Sequence, residues 1–403
     1  MSGAKNAALP IMAATILTDE ECIISNVPKL RDTMTMVSLL RSLGKSVDID
    51  KNNIKISSKG KLSHIADYDL VSTMRGSFCV LGPILAKLGR AKVSLPGGCV
   101  IGIRPVDLHL KGLKALGAKM TIENGYVNAK AGSLRGSHIY LGGVFGSSVL
   151  ATANVMMAAV LAKGETVIEL AACEPEIEDL TNFLIEMGAK IRGIGSPRLT
   201  IIGVKRLNGV NYKIIPDRIE AGTYILAAAA TKSNNVTLRG ACLSHLMALV
   251  DKLSQIGVTV TENEDEITIK LKRTLKPASV TTYPYPGFPT DLQAQLMALA
   301  AVTPGVSVIT DKVYPDRFIH ISELNRMGAN IRREGINAIV QGVKILHGAP
   351  VMASDLRASA ALVIAGLAAK DKTEIHRIYH LERGYEDLDE KLKALGAVVY
   401  REE

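Results

Sequence analysis

The pentapeptide Leu113-Lys-Ala-Leu-Gly117 ends a stretch with apolar residues at helical spacing, and similar pentapeptides recur along the chain. A glycine at the last position suits the left-handed residue that terminates many helices. The other copies are Leu40-Arg-Ser-Leu-Gly44, Leu184-Ile-Glu-Met-Gly188, Leu253-Ser-Gln-Ile-Gly257, Leu324-Asn-Arg-Met-Gly328 and Leu392-Lys-Ala-Leu-Gly396. Successive copies are 73, 71, 69, 71 and 68 residues apart, which indicates six repeats.

Each repeat also contains an earlier helix of small apolar residues, and a short strand joins the two helices. Alternating segments after the glycine predict a hairpin. The repeat is therefore strand, helix, strand, helix, strand, strand, and six repeats predict an α/β fold of two domains. Helices that are apolar on most faces are expected to be buried. The predicted early helices are residues 6–17, 77–88, 151–162, 221–230, 292–301 and 358–369.

Five repeats open with a predicted strand, at residues 68–72, 138–141, 212–215, 280–283 and 350–352. The first repeat starts almost at its helix. The sixth ends on a predicted strand at residues 397–400, without a second hairpin strand. We expect both missing strands to come from additional residues upstream of Met1.

The composition excludes several classes of protein. With 47% hydrophobic and 22% charged residues the chain is typical of ordered globular proteins, and a net charge of +9 favours an anionic partner. The basic residues are dispersed and aromatic residues make up only 4%, so we expect no nucleic-acid partner. Five cysteines without paired spacing and a longest apolar run at 358–369 predict a cytoplasmic protein without a metal or a membrane partner.

Several residues have types and positions that suit the binding of anions. Lys5 precedes a helix opened by Asn6, and Arg104 precedes Pro105, so both cations are predicted at positive helix ends. Cys99 follows Pro96-Gly-Gly, a stretch typical of a mobile loop. Asp291 opens a helix, where an aspartate is commonly a cap.

Five motifs, in this order, are similar to those of the enolpyruvyl transferases, and the resemblance covers residues 2–401. It implies an inside-out α/β barrel of two domains, residues 3–213 with the Cys99 loop and residues 214–403, with the active site in the cleft between them. The motifs are Ser2-Gly-Ala-Lys-Asn-Ala-Ala-Leu-Pro10, Leu95-Pro-Gly-Gly-Cys-Val-Ile-Gly-Ile-Arg-Pro-Val-Asp-Leu108, Phe288-Pro-Thr-Asp-Leu-Gln-Ala-Gln295, Asp355-Leu-Arg-Ala-Ser-Ala360 and Glu382-Arg-Gly-Tyr385.

The resemblance implies transfer of the enolpyruvyl group of phosphoenolpyruvate to the 3-hydroxyl of UDP-N-acetylglucosamine, without a cofactor or metal. It makes Cys99 the general acid and the residue alkylated by fosfomycin. Asp291 would contact the sugar hydroxyl and is a candidate base. The implied catalytic residues are Cys99, Asp291, Lys5 and Arg383. The implied substrate-binding residues are Lys5, Asn6, Arg75, Arg104, Pro105, Val106, Asp107, Leu108, Asp291, Val313, Arg357 and Arg383.

One segment departs from the family pattern. Where the family commonly has a lysine-containing run that holds the uridine diphosphate, this chain has Gly146-Ser-Ser-Val-Leu150, which favours weaker nucleotide binding. Two alternatives stay open: 5-enolpyruvylshikimate-3-phosphate synthase, which shares the fold and the donor, and a weakly active regulatory protein that binds the UDP-sugar. The glycine-rich Cys99 loop and Phe288-Pro-Thr-Asp291 argue against the first.

Overall fold

The computed structural model describes residues 1–97, 106–234, 236–272 and 274–402. The described chain forms two compact units, each with its own hydrophobic core. The first unit contains residues 3–97 and 106–215, and the second contains residues 1–2 and 216–402. Within the described residues, no helix is both long enough and apolar enough to span a bilayer.

The first unit contains three sheets and seven α-helices among its described residues. Its helices are α1 (Lys5–Ala14), α2 (Arg31–Ser42), α3 (Tyr68–Val71), α4 (Leu81–Leu88), α5 (Asp107–Ala115), α6 (Val149–Ala159) and α7 (Pro175–Glu186), with 3-10 turns at Thr15–Leu17 and Arg75–Val80. Its strands are β1 (Cys22–Ser25), β2 (Lys45–Asp50), β3 (Asn53–Ser58), β4 (Ile65–Ala66), β5 (Arg90–Ser94), β6 (Lys119–Glu123), β7 (Tyr126–Lys130), β8 (His138–Tyr140), β9 (Glu165–Glu169), β10 (Lys190–Arg192), β11 (Arg198–Ile202) and β12 (Asn211–Lys213).

The second unit repeats the same alternation of strands and helices. Its helices are α8 (Arg218–Ala230), α9 (Met247–Ile256), α10 (Gln293–Ala301), α11 (His320–Arg326), α12 (Leu356–Ala368) and α13 (Leu388–Ala394), with 3-10 turns at Leu243–Leu246, Thr290–Leu292 and Ile378–Arg383. Its strands are β13 (Val236–Arg239), β14 (Val258–Asn263), β15 (Glu266–Leu271), β16 (Val280–Thr282), β17 (Val306–Asp311), β18 (Asn330–Glu334), β19 (Asn337–Gln341), β20 (Pro350–Met352) and β21 (Glu374–His376).

Four of the sheets share one strand plan, which confirms the predicted α/β fold of repeated elements. In each of these sheets the second strand of the hairpin lies between two neighbours and is antiparallel to both, as β3 is to β1 and β2. A further strand at the edge of the sheet runs parallel to its one neighbour, as β12 does to β1. The orders are β12-β1-β3-β2, β4-β5-β7-β6, β8-β9-β11-β10 and β16-β17-β19-β18. The two remaining sheets are β13-β15-β14 and β20-β21.

Strand β12 corrects the predicted start of the fourth repeat. It pairs in parallel with β1, with Ile23 opposite Asn211 and Ser25 opposite Lys213. It therefore fills the place in the first sheet for which we expected a strand from upstream of Met1, and that expectation is wrong for this sheet. The reason is that an edge strand presents unpaired backbone groups that any nearby segment can satisfy. Periodicity along the sequence does not reveal which edge a strand joins.

The ends of the first unit meet beside β12. The backbone N–H of Ala4 donates to the carbonyl of Ile215 at 2.8 Å. The hydroxyl of Tyr212 in β12 donates to Oδ1 of Asp179 in α7 at 2.6 Å, and the N–H of Ile215 donates to Oδ2 at 3.3 Å. These bonds fix the last strand of the unit to its first residues and to α7.

The predicted strand at residues 68–72 is wrong. Only Ile65 and Ala66 pair with β5, and the chain then turns into α3. In α3 the buried residue is Val71, whereas Tyr68 and Asp69 are exposed, so the segment lacks the alternation of a half-buried strand.

The predicted strand at residues 397–400 is also wrong. In the other sheets the first hairpin strand bonds only to the second, which lies beside it in the sheet. Among the described residues the sixth sheet consists of β20 and β21 alone, so residues 397–400 have no strand to pair with. Val398 and Tyr400 are accordingly 81% and 82% exposed.

The alanine-rich helices form the cores of the two units, as predicted. All thirteen residues of α8 are buried, and most of α6, α10 and α12 are buried as well. Small side chains let these helices approach closely: a Cβ added at Gly82 of α4 would lie 2.1 Å from the carbonyl oxygen of Asn154 in α6. The helices therefore hold their ends, and the charged residues on those ends, in fixed positions.

Asp179 gives the stability of the first unit a testable dependence on pH. Burial raises the pKa of Asp179 to about 6 from its ordinary 3.8, although Tyr212 and Ile215 donate to it. The protonated Asp179 carboxyl therefore contributes fully to the stability of the unit below pH 4. This contribution is lost as the pH rises through 6, because the buried carboxyl then ionises. We expect D179N to gain about 3 kcal/mol of unfolding free energy relative to the wild type between pH 4 and pH 7.5. Urea unfolding at both pH values measures this difference.

The exposed Asp48 on β2 supplies a matched control for that experiment. D48N is expected to change the free energy of unfolding by less than about 0.5 kcal/mol, because it replaces an exposed surface residue. If the unfolding free energies of D179N and the wild type differ by the same amount at pH 4 and at pH 7.5, burial does not destabilise the ionised Asp179 carboxylate.

Candidate active site

Lys5 is the first residue of α1 and lies almost entirely inside the first unit. Its side chain is 8% exposed, and its Nζ lies 3.2 Å from Oδ2 of Asp32 in the first turn of α2. α1 and α2 pack against each other, so a buried cation lies where two helices begin. Asn6 follows Lys5 in the first turn of α1 and is partly buried. This position agrees with the prediction that Lys5 lies at a positive helix end.

Arg75 begins the 3-10 turn that leads into α4. His109 of α5 is buried; its Nδ1 lies 2.9 Å from the side-chain amide nitrogen of Asn154, and its ring contacts Phe78 edge-on. Burial, together with the charge of Arg75, lowers the pKa of His109 to about 3, so this histidine is uncharged at neutral pH. His109 is thus a packing residue.

The central glycine-rich motif is only partly described. Cys99, Arg104 and Pro105 lie outside the described residues, so their predicted roles stay predictions. Val106 precedes α5, and Asp107 and Leu108 are its first two residues.

The departure at Gly146-Ser-Ser-Val-Leu150 lies at the start of α6. Gly143 and Gly146 exchange backbone hydrogen bonds in a tight turn, and the exposed tip of that turn carries Val144 and Phe145. The side-chain oxygen of Ser148 accepts from the N–H of Ala151 at 3.3 Å and caps the helix. The start of α6 therefore keeps its hydroxyls and its helix end, as the sequence indicated.

In the second unit the structure brings two predicted residues together. Asp291 lies in the 3-10 turn before α10, and Arg357 is the second residue of α12, which packs on α10. Nη2 of Arg357 donates to Oδ2 of Asp291 at 3.1 Å. The guanidinium carbon of Arg357 also lies 5.4 Å from the centre of the Tyr385 ring. A buried cation and a partly exposed carboxylate thus form one pair.

Sequence reasoning missed a second cation on the same carboxylate. Nη1 of Arg317 donates to Oδ1 of Asp291 at 2.7 Å and to the hydroxyl of Thr290 at 3.3 Å. Burial alone would lower the pKa of the Arg317 guanidinium, but Asp291 and Asp355 outweigh burial and raise it. Arg317 is therefore charged, and no motif in the sequence pointed to it.

Two further aspartates, Asp355 and Asp311, bind groups next to this pair. Asp355 caps α12 by accepting from the N–H groups of Arg357 and Ala358 at 2.8 and 3.1 Å, and its Oδ1 lies 4.0 Å from Nη2 of Arg317. Asp311, fully buried at the end of β17, accepts from the Thr282 and Thr290 hydroxyls, both at 2.7 Å. An aspartate directly before a helix could have signalled the Asp355 cap from sequence.

The other predicted residues of this unit lie around the pair. The N–H of Val313 donates to Oδ1 of Asp311 at 3.0 Å, so Val313 is fixed by the same buried carboxylate. Arg383 is partly buried and ends the 3-10 turn that packs against α12. Lys5, Asn6, Arg75 and residues 106–108 belong to the first unit, whereas Asp291, Val313, Arg357 and Arg383 belong to the second. Their action on the same substrates stays a prediction.

Metal-binding side chains do not cluster in the described part of the chain: it contains no group of three or more His, Cys, Asp or Glu residues that could hold an ion. His320, one turn after Arg317, is buried. Burial lowers its pKa to about 4, Arg317 acts in the same direction, and Asp355 opposes both. The described second-unit site is therefore built from guanidinium and carboxylate groups.

Comparison with known proteins gives matches over almost the whole chain. The family model for EPSP synthase (3-phosphoshikimate 1-carboxyvinyltransferase) matches residues 1–392. The chain is 52% identical over 402 residues to the UDP-N-acetylglucosamine 1-carboxyvinyltransferase of Methylacidiphilum infernorum, which covers 100% of this chain and 95% of that relative. The protein of that name from Akkermansia muciniphila is 51% identical over 404 residues, with the same coverage.

A solved structure shares the fold at high similarity. The enolpyruvyl transferase NikO from Streptomyces tendae superposes with a TM-score of 0.90 at 25% sequence identity. The match covers 99% of this chain and 94% of NikO.

Asp311 should be important for stability. D311N leaves an amide nitrogen facing hydroxyl and N–H donors inside the protein, so we expect it to lower the free energy of unfolding by about 1–3 kcal/mol. D316N is the control, since Asp316 is exposed and pairs with the exposed Arg333; it should cost less than about 1 kcal/mol. Urea unfolding measures both variants. Equal stabilities of D311N and the wild type would contradict the role of Asp311 as a buried acceptor.

Proposed function

The chain belongs to the EPSP synthase family of enolpyruvyl transferases, and we propose that it transfers the enolpyruvyl group of phosphoenolpyruvate to the 3-hydroxyl of UDP-N-acetylglucosamine and releases phosphate. The observation that carries this proposal is the similarity, at about half of all positions and over the full chain, to transferases named for that acceptor. The product is the first committed precursor of peptidoglycan, so the protein acts in bacterial cell-wall synthesis.

The acceptor hydroxyl is the proposed partner of Asp291. In the addition step the sugar oxygen bonds to C2 of phosphoenolpyruvate while C3 gains a proton, which gives a tetrahedral intermediate. In the elimination step C3 loses a proton and the bond from C2 to the phosphate oxygen breaks. The Asp291 carboxylate, flanked by two guanidinium groups, is a weak base and a strong hydrogen-bond acceptor. Its proposed role is to orient the hydroxyl and receive its proton as the new bond forms.

The donor is a small polyanion, and we propose cations for its phosphate and carboxylate groups. Lys5, Arg104 and Arg383 are the proposed contacts, with Arg357 as a fourth. The burial of Lys5 and Arg357 at the starts of α1 and α12 supports this assignment, because helix N–H groups and a side-chain cation can act on one anion together.

Cys99 is the proposed acid that protonates C3, and its glycine-rich loop is the proposed lid. The UDP-sugar is assigned to Asn6, Arg75, residues 104–108, Asp291 and Val313. The capped start of α6, with Ser147 and Ser148 in place of a cation, is proposed to lower nucleotide affinity without changing the reaction.

We further propose the inside-out barrel organisation of the family, with domains at 3–213 and 214–403, and closure of the protein on its substrates. The sheets of common plan around buried helices support the barrel organisation. The proposed location is the cytoplasm, where both phosphorylated substrates are made.

Phosphate release with two acceptors tests the assignment. We expect turnover with UDP-N-acetylglucosamine and phosphoenolpyruvate, and less than about 1% of that rate with shikimate 3-phosphate, because a site built for one acceptor leaves polar groups unpaired with another. The reverse preference would identify the protein as 5-enolpyruvylshikimate-3-phosphate synthase. Binding of the UDP-sugar without turnover would indicate the regulatory alternative.

Cys99 variants test the acid. C99S is expected to lose at least about 100-fold in kcat and all alkylation by fosfomycin, since a serine hydroxyl is a far weaker acid. C99D is expected to retain turnover and to resist fosfomycin. C242S, which changes a partly exposed cysteine of the second unit, is the control and should match the wild type. Full activity of C99S would overturn the assignment of the acid.

A further inference from the structure

Strand β6 is the outer strand of its sheet and is open along one side. Among the described residues it pairs only with β7, in the order β4-β5-β7-β6. None of its five described residues is buried, whereas the first strand of every other hairpin in the described chain buries at least one. Such an edge presents backbone N–H and C=O groups that another strand can bind.

The outward-facing backbone groups of β6 belong to Met120 and Ile122. The N–H of Ala131, next to the end of β7, donates to the carbonyl of Gly89 at 2.8 Å, so the odd-numbered residues of β7 bond toward β5. Because bonding alternates along an antiparallel strand, the even-numbered residues of β7 bond toward β6, where their partners are the odd-numbered residues. The N–H and C=O groups of Met120 and Ile122 therefore face away from the sheet, and the Ile122 side chain is 53% exposed.

The side chains of β6 are complementary to those of a second copy of the same strand. An antiparallel pair centred on Thr121 sets Lys119 of each copy opposite Glu123 of the other. It also sets Met120 of each copy opposite Ile122 of the other, and the backbone groups of these two residues can then exchange hydrogen bonds. Opposite charges and threonine pairs at directly opposed positions stabilise neighbouring strands, and the apolar pair removes the exposed Ile122 side chain from water.

The edges of two other hairpins do not fit a second copy in this way. The residue that corresponds to Thr121, two positions before the end of the strand, is Asp48 in β2 and Arg332 in β18. The same pairing therefore sets aspartate opposite aspartate or arginine opposite arginine, which is destabilising. The charges thus favour self-pairing of β6 over self-pairing of these two edges.

A row of cations on the same sheet supports a second copy as the partner. Arg90, Lys130 and Lys119 lie side by side on β5, β7 and β6, and all three are exposed. Like charges at directly opposed positions repel one another. In the pair centred on Thr121, Glu123 of the second copy continues this row next to Lys119 and adds a carboxylate to it.

We propose that the protein forms a symmetric dimer in which the β6 strands of two copies pair antiparallel about a two-fold axis at Thr121. The two four-stranded sheets then form one continuous sheet of eight strands. This inference does not depend on the proposed function, because it uses residues outside the candidate active site. A pair of five-residue strands buries far less surface than a permanent interface, so we expect a weak dimer with a Kd of about 10–100 µM.

Sedimentation velocity at about 1–500 µM protein measures the dimer Kd. K119E and E123K each set like charges opposite one another twice across the axis, so we expect each to weaken dimerisation at least about 10-fold. The double variant K119E/E123K restores opposite charges, and its Kd should return to within about threefold of the wild-type value. E334K is the matched control: it changes the net charge as E123K does, at the exposed end of β18, and should leave the Kd within about twofold.

Disulfide trapping tests the register of the two strands. In the proposed pair the Thr121 residues of the two copies lie directly opposite each other, within reach of a disulfide, whereas the two Glu123 residues lie roughly 14 Å apart. Under oxidation by copper phenanthroline we expect T121C to form a covalent dimer at least about five times faster than E123C. The wild type, which keeps the five native cysteines, gives the background rate.

Several results would contradict the proposed dimer. A wild type that stays monomeric up to about 500 µM overturns the proposal, whatever its enzymatic activity. A dimer that persists in both K119E and E123K, or a double variant that stays as weak as the single variants, also overturns it, because the contact then does not use the charges of β6. If a charge variant fails to fold, as judged by its melting curve, T121C and E123C decide: equal rates of cross-linking reject the register, and a faster rate for T121C supports it.

Discussion

Close packing of small apolar helices sets the distances on which the charged groups of this protein depend. In the second unit α8, α10 and α12 pack against one another, Asp291 directly precedes the segment that becomes α10, and Arg357 lies in the first turn of α12. Alanine side chains leave little room for these helices to move relative to one another, so the distance between the Asp291 carboxylate and the Arg357 guanidinium is fixed. The first unit repeats this principle, since the contact of α1 with α2 brings Lys5 to Asp32.

Burial makes these charges costly, and their arrangement offsets the cost. An isolated cation inside a protein would lose several kcal/mol of hydration, which a well-placed carboxylate restores in part. Asp291 and Asp355 alternate with Arg317 and Arg357, so each described cation faces an anion. The arrangement also explains why arginine occupies both positions, because its charge persists when it is buried.

The sequence predicted the repeat, the α/β class and the buried alanine-rich helices because helical spacing and glycine caps are local signals. It misassigned β12 because pairing with β1 joins residues almost 190 positions apart, and no local pattern records that choice. Residues 397–400 show that an alternating pattern forms a strand only where a neighbour accepts its hydrogen bonds. At the site, the sequence motifs identified Asp291 and Arg357, whereas Arg317 and Asp311 were identified only from the structure. Some of their partners are distant in sequence, and an isolated arginine after a loop matches no motif that would predict a functional role.

The pairing of β12 with β1, together with the bond from Ala4 to Ile215, brings the beginning and the end of the first unit side by side. Because the two ends hold each other through backbone hydrogen bonds, fraying of either end breaks bonds of the other, and we expect the two ends to open together as one cooperative unit.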